Sequence, residues 1–144
     1  MRQILRTTGL IVGGLVALAL GLDAIVGIRQ PVLDPGGREG VLRTFDENGN
    51  VSETRLHVFD DHGTLWIQSG HHFRGWYYQL RRNPEVELVR NGEVHTYHAV
   101  ALDTPEAKAH LERIIKQHAG TFRFYALRTL LLFAEVKPVR LDPR

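Results

Sequence analysis

The chain has 144 residues and a mass of 16.4 kDa, the size of one domain, which leaves no room for a cofactor module separate from a catalytic one. It contains no cysteine, so disulfides, thiolate nucleophiles and cysteine-ligated zinc are excluded. Arg2, Arg6 and Arg29 against Asp23 account for the whole formal charge of +2. From Gln30 onward acids and bases balance, so the pI of about 9.2 argues for no nucleic-acid partner.

Residues 1–29 read as a region of their own. Thr8 to Ile28 is a run of 21 residues with Asp23 as its one charge. As a helix it would span about 31 Å, the thickness of a bilayer hydrocarbon core, which predicts a single-pass N-terminal membrane anchor. Asp23 falls near the end of the run, where its carboxylate reaches the headgroup region. A cleaved secretory signal is the competing reading, since Arg2 and Arg6, the apolar centre and the small pair Ala17 and Ala19 fit that pattern too. The run is longer than a signal core of about 7 to 15 residues, which favours the anchor. Orientation stays open, because Arg2 and Arg6 precede the run while Arg29, Arg38 and Arg43 follow it.

Residues 30–40 hold Pro31, Pro35, Gly36, Gly37 and Gly40 and read as a linker, with the folded domain at 41–144. Val41 to Phe45 is a strand, and Asp46 to Asn50 with its Asn-Gly pair turns the chain. Val51 to Phe59 alternates as a second strand, Asp60-Asp61-His62-Gly63 is a turn, and Thr64 to Ser69 is a third strand. A loop over Ser69 to Gly75 leads into a short helix over Trp76 to Arg82, stopped by Asn83 before Pro84. Glu85 to Arg90 and Glu93 to Leu102 are strands around Asn91-Gly92. Asp103 or Thr104 caps a helix with Pro105 at its first position, ending near His118 with Gly120 beyond. Its apolar stripe is Leu111, Ile114 and Ile115. Thr121 to Leu132 is a short amphipathic segment, and Phe133 to Leu141 is a last strand whose Pro138 suits a sheet edge. Six strands, two hairpins and one or two helices predict a mainly β, α+β fold: a small antiparallel barrel with helices outside it.

Eight histidines raise the question of metal, but His71 and His72 are adjacent and lack a His or Glu companion at helical spacing, so no metal site is expected. His57, His95 and His98 fall in strands as polar-face residues. Asp60 and Asp61 flank a turn and read as a solvated hairpin end. Ser69-Gly70 lacks the framing of a nucleophile elbow, and no catalytic residue is assigned.

The run Leu65-Trp66-Ile67-Gln68-Ser69-Gly70, followed after a short loop by Trp76-Tyr77-Tyr78-Gln79-Leu80-Arg81-Arg82-Asn83-Pro84-Glu85-Val86, carries a resemblance. With Thr54-Arg55-Leu56 before it, this order resembles the deazaflavin-dependent nitroreductase and quinone reductase family, a branch of the flavin-binding split β-barrel, pyridoxamine-phosphate-oxidase-like class. The likeness covers roughly Val41 to Leu141. It implies a six-stranded antiparallel split β-barrel. It further implies a deazaflavin (coenzyme F-420) or, as second choice, FMN as coenzyme, and a coenzyme cleft lined by Arg55, Ser69 and Gly70.

A planar ring with a phosphate tail needs a flat apolar wall, N–H donors at its edge and cations for the phosphate. Trp76 and Tyr77 would supply the wall, the Ser69-Gly70-His71 bend the edge, and Arg55, Arg74, Arg81 or Arg82 the cations. Phe122, Phe124, Tyr125 and Phe133 would cover the acceptor side. The reaction is then hydride transfer to a quinone-like or nitroaromatic acceptor, a small-molecule partner met at the membrane. Pairing of two barrels into a homodimer is also implied, though one chain shows no surface for it.

One segment departs from the family. Where many members carry Gly-Arg-Lys-Ser-Gly, whose bases meet coenzyme phosphates, this chain has Phe45-Asp46-Glu47-Asn48-Gly49-Asn50, and two acids there repel an anionic tail. That favours the alternative of a non-catalytic split-barrel module holding a flavin, haem or other planar ligand.

Overall fold

The structure, a computed structural model, describes residues 12–18, 21, 39–70, 75–121, 124–125 and 135–144. Seven strands form one antiparallel sheet: β1 (Glu39–Phe45), β2 (Val51–His57), β3 (Phe59–Asp61), β4 (Thr64–Ser69), β5 (Glu85–Arg90), β6 (Glu93–Ala101) and β7 (Lys137–Pro143). Among the described residues two helices are set between strands, α1 (Gly75–Arg82) between β4 and β5, and α2 (Pro105–Ala119) between β6 and β7. The spatial order is β2-β1-β5-β6-β7-β4-β3. The two outermost strands are consecutive in sequence and joined at Val58, so the sheet must curl until its edges nearly meet, which is the split barrel.

The expected single strand Val51–Phe59 is therefore two, and the sheet has seven strands rather than six. Leu56 and Val58 both face the core, so apolar alternation runs unbroken through the junction. What changes is the hydrogen-bonding partner, β1 before Val58 and β4 after it. A one-chain alternation pattern carries no trace of such an exchange. There are likewise three hairpins, not two, with β3–β4 added to β1–β2 and β5–β6.

The last strand starts at Lys137, later than expected, and its Pro138 is not at an edge: β7 lies between β6 and β4. The Pro138 carbonyl accepts the Leu102 N–H at 3.0 Å, just beyond the final β6–β7 pair Ala101↔Val139. Both main-chain groups of Pro138 thus point past the end of that ladder, where a missing N–H removes no central bond.

Each face of the sheet carries one helix. The inner, concave face gathers Leu42, Leu56, Val58, Ile67, Val86, Leu88, Val139 and Leu141 under Trp76, Tyr77 and Leu80 of α1. On the outer face Phe59 and Trp66 meet Leu111, Ile114 and Ile115 of α2, with Phe124 beside them. The Thr104 hydroxyl accepts the Ala107 N–H at 3.2 Å, Pro105 opens α2, and Gly120 at φ 84° closes it as the sequence predicts. The Asn91-Gly92 turn also forms as predicted, both residues at positive φ, 54° and 84°.

The proposed anchor Thr8–Ile28 lies mostly outside the described residues. Residues 12–18 are helical, with Val12, Leu15, Val16 and Leu18 exposed. Among the described residues no helix is long and apolar enough to cross a membrane. Most of the amphipathic segment 121–132 is outside them too, with residues 121, 124 and 125 helical.

Two outcomes follow for stability. A Cβ on Gly40 would sit 2.7 Å from Leu88 Cδ1 and 3.0 Å from Val58 Cγ2, both on buried side chains that cannot swing away. Gly40→Ala should cost about 1–3 kcal/mol, read from urea unfolding. Several carboxylates are held below their ordinary pKa: Asp46 by the Asn50 side chain and turn N–H groups, Asp103 and Glu135 by Lys108, and Asp142 by Arg140. Each binds its proton less readily folded than unfolded. Their contribution is complete above the unfolded values of 3.8 for Asp and 4.5 for Glu, and disappears as pH falls through the lower folded values. The melting temperature should stay level from neutral pH to about 5 and drop steeply below about 4.

Candidate functional site

The residues singled out by sequence converge on α1. Gly75 opens it, Trp76, Tyr77 and Leu80 form its buried face, and Arg81 and Arg82 end it where their charge complements the helix dipole. The Asn83 N–H donates to the Gln79 carbonyl at 2.8 Å, and Pro84 stops the helix there.

A polar tie fixes α1 to the sheet. The fully buried Thr44 hydroxyl donates to Gln79 Oε1 at 2.6 Å, and Gln79 Nε2 donates to Ser52 Oγ at 3.2 Å. Gln79, which the sequence marks only as part of the short helix, is the link between α1, β1 and β2. Thr44 and Ser52 gave no signal beforehand, because their roles depend on the β1–β2 register Thr44↔Ser52.

Beside this tie is a cleft of about 190 Å³ between Phe45–Asn48 of the first hairpin turn and Gln79, Arg82 and Asn83. The acidic turn is here accounted for. Asp46 accepts from the Asn48 N–H, the Asn50 N–H and Asn50 Nδ2, each at 2.8 Å, so its carboxylate builds the turn. Those donors hold it ionised well below the usual carboxylate range. Glu47 is exposed at the rim. Arg43, a basic residue near this turn, is engaged elsewhere, on Glu53 at 2.8 Å and Glu87 at 3.3 Å.

At the other end of α1, β4 finishes in Ser69, which is 1% exposed, and Gly70 follows. No described atom lies within 4 Å of where a Cβ on Gly70 would sit, so the backbone is open to close approach there. Ser69 pairs with Lys137 across β4 and β7, and the Lys137 ammonium lies over the Tyr77 ring, 5.3 Å from its centroid. Lys108 lies nearby and bridges Asp103 at 2.7 Å and Glu135 at 2.9 Å. His71 and Arg74 lie outside the described residues.

Trp76 and Tyr77, expected as a flat coenzyme wall, are 5% and 3% exposed and sit in the main core. At helical spacing they share an inward face with Leu80, and packing takes the area that a ligand would need. Tyr78, one position on and 46% exposed, is the aromatic that α1 turns outward. Arg55 is exposed on the outer sheet face, paired with Val41, whereas α1 and Ser69 are on the inner face. One chain therefore does not bring Arg55 together with Ser69, Gly70, Trp76 and Tyr77. Phe124 is buried against α2, and Tyr125 is exposed beside Lys116, whose ammonium lies 4.9 Å from both ring centroids. These two are also on the outer side, away from Ser69.

The described histidines make pairs: His95 with Glu93 at 3.1 Å, His98 with Glu85 at 2.9 Å, and His110 with Asp61 at 3.0 Å. Among the described residues no three His, Asp or Glu side chains gather as a metal site.

No protein-family model matches the chain, and no curated protein sequence matches it. Solved structures do. The haem storage protein HutZ from Vibrio cholerae is similar with a TM-score of 0.59 at 15% identity, over 76% of this chain and 83% of its own. An F420-H2 dependent reductase has a TM-score of 0.57 at 14% identity, over 73% of this chain and 94% of its own. A 5-nitroimidazole antibiotic resistance protein from Bacteroides thetaiotaomicron, described as putative, has a TM-score of 0.56 at 17% identity, over 75% and 74%. At such identities the likeness establishes the fold alone, the curled antiparallel sheet described above.

The buried tie gives a direct test of how α1 is held. Gln79→Leu leaves the Thr44 hydroxyl without its close partner and should cost about 1–3 kcal/mol in chemical denaturation. Adding Thr44→Val to it should recover part of that loss, since an apolar pair no longer strands a buried donor.

Proposed function

We propose that this chain is an oxidoreductase that holds a deazaflavin or, as second choice, FMN beside the Ser69-Gly70 bend and passes hydride to a quinone-like or nitroaromatic acceptor. The observation that carries this is the open backbone at Gly70 next to buried Ser69, at the α1 end of a barrel whose solved relatives include an F420-H2 dependent reductase. The fit is partial, and it differs from the sequence expectation in its wall. Close approach and cations are present at Gly70 and Lys137, while Trp76 and Tyr77 are committed to the core. Tyr78 is the aromatic of α1 that is left exposed, with its ring against Tyr77.

When bound, the ring system supplies the hydride chemistry. The chain's part is to orient and shield it: the Ser69-Gly70 backbone meets the ring edge, His71 and Arg74 remain proposed coenzyme contacts, and α1 excludes water from below. Phe124 and Tyr125, expected on the acceptor side, lie on the outer face away from Ser69, so within one chain they do not flank this coenzyme position. Anchoring through Thr8–Ile28 would confine the barrel to the bilayer surface, where a lipid-soluble quinone reaches high effective concentration. Pairing of two copies is part of the same reading, supported by a solved neighbour described as a domain-swapped dimer.

A second reading, a module that binds a planar ligand without catalysis, is favoured by a cluster on the outer face. The Phe59 ring lies 6.4 Å from His57 and 6.0 Å from His118, and the His118 Nδ1 faces the Ile114 carbonyl at 2.8 Å. This cluster puts two imidazoles, a side chain that haem iron takes as ligand, on the outer face, which is the ground for the second reading.

Absorbance titrations of the full chain separate the two. Micromolar binding of reduced deazaflavin or FMN with quinone-dependent reoxidation is the expected result. No spectral change with any flavin up to millimolar concentration, together with a Soret shift on adding haem, would leave the module. Because Arg55 projects from the opposite face, Arg55→Ala should leave coenzyme affinity unchanged; lost affinity would mean that the coenzyme reaches around the sheet edge.

A further inference from the structure

The cleft at the C-terminal end of α1 is walled by the turn residues Phe45–Asn48 on one side and by Gln79, Arg82 and Asn83 on the other. Two opposite charges line it without neutralising each other. Glu47 and Arg82 are both exposed, and neither makes a hydrogen bond or ion pair with any described residue. They border one opening yet stay out of contact, so the cleft keeps a negative and a positive pole apart on facing walls.

Both walls are held by bonds that leave these charges free. On the turn, the Asp46 carboxylate takes the Asn48 N–H, the Asn50 N–H and Asn50 Nδ2, each at 2.8 Å. Those donors keep Asp46 ionised, so negative charge gathers on the wall of Glu47. On the helix, Gln79 is tied to Thr44 and Ser52, and its carbonyl takes the Asn83 N–H at 2.8 Å. Asn83 Oδ1 accepts the Glu85 N–H at 3.3 Å, which leaves its Nδ2 as a donor on the wall of Arg82. At about 190 Å³ the cleft is below the roughly 300–1,000 Å³ of a site for a drug-sized molecule, too small for a flavin. It has room for about six waters, or for one molecule of that size.

We propose that this cleft binds a small zwitterion, an α-amino acid with an aliphatic side chain, its ammonium on Glu47, its carboxylate on Arg82 and the Asn83 amide, and its side chain against Phe45. Each pole of such a molecule meets a charge that the protein leaves unpaired, and charge-assisted hydrogen bonds are about twice as strong as neutral ones. A ligand with a single charge would answer one wall only. Phe45 is the one apolar residue on the cleft, which suits a short aliphatic chain. Walls already held by the Asp46 turn and the Gln79 tie need little ordering when the ligand enters. The two acids that repel an anionic coenzyme tail attract an ammonium group, which gives the acidic turn a role. This site does not depend on the coenzyme reading, whose Ser69-Gly70 bend is at the other end of α1.

Calorimetric titration of the full-length protein compares L-leucine with isoamylamine, which lacks the carboxylate, and with isocaproate, which lacks the ammonium. Leucine should bind about tenfold or more tightly than either. Glu47→Gln and Arg82→Gln each remove one charge at an exposed position that makes no contact in the fold, so both variants should melt as the parent does. Each should weaken leucine about tenfold. The loss should be specific to one pole: Arg82→Gln leaves the amine's affinity unchanged, and Glu47→Gln leaves the acid's unchanged. Isoamylamine binding as tightly as leucine would overturn the zwitterion site, and so would leucine binding that survives both substitutions. Neither heat nor thermal stabilisation with leucine up to tens of millimolar would overturn it too. Every one of these results leaves the flavin titrations to decide the coenzyme reading separately.

Discussion

Burial of one face of α1 against the concave side of the sheet is the interaction on which the rest of this structure depends. Trp76, Tyr77 and Leu80 fill the space that a curled sheet leaves at its centre, and the strands can curl only because something apolar occupies that space. Large aromatic side chains bury the most area per residue, so two of them on a helix of eight residues make a short element hold as firmly as a longer one. The Thr44–Gln79–Ser52 tie then sets the helix's rotation, since the buried hydroxyl and amide meet at one register only.

That packing has a functional consequence. Side chains committed to the core cannot also be a ligand wall, which leaves the two ends of α1 as its accessible parts. The C-terminal end has the acidic turn, whose Asp46 is spent on backbone donors. The N-terminal end has an open glycine, a buried serine, and a lysine stacked on the phenol. Both ends carry charges of both signs: Arg82 beside Asp46 and Glu47 at one, and Lys137 and Lys108 with Asp103 and Glu135 at the other.

The outer face is organised separately. There α2 packs on β3, β4 and β7, with Phe59 and Trp66 as its main apolar contacts. The rest of the outer face is a lattice of cross-strand charges, Glu53–Arg43–Glu87 in one row and Glu85 with His98 and Arg144 in another. Arg55 belongs to this face, so its proximity in sequence to Leu56 says little about the company it keeps, because neighbours on a strand point in opposite directions.

Sequence by itself determined most of the local elements: the strand–turn–strand units around Gly49, Gly63 and Gly92, the capped helix from Pro105, and the stop at Asn83-Pro84. These are set by backbone sterics and nearest-neighbour hydrogen bonds, which are properties of a few adjacent residues. It also marked Ser69 to Leu88 as the segment to watch. Only the tertiary structure decided that Val51–Phe59 serves two partners, that Pro138 sits in a central strand past the end of its ladder, that Trp76 and Tyr77 turn inward while Tyr78 turns out, and that Lys137 stands beside Ser69. Each of these depends on which strand pairs with which and on where a helix's buried face lands. Those are long-range choices settled by filling one common core, and no window of sequence contains them.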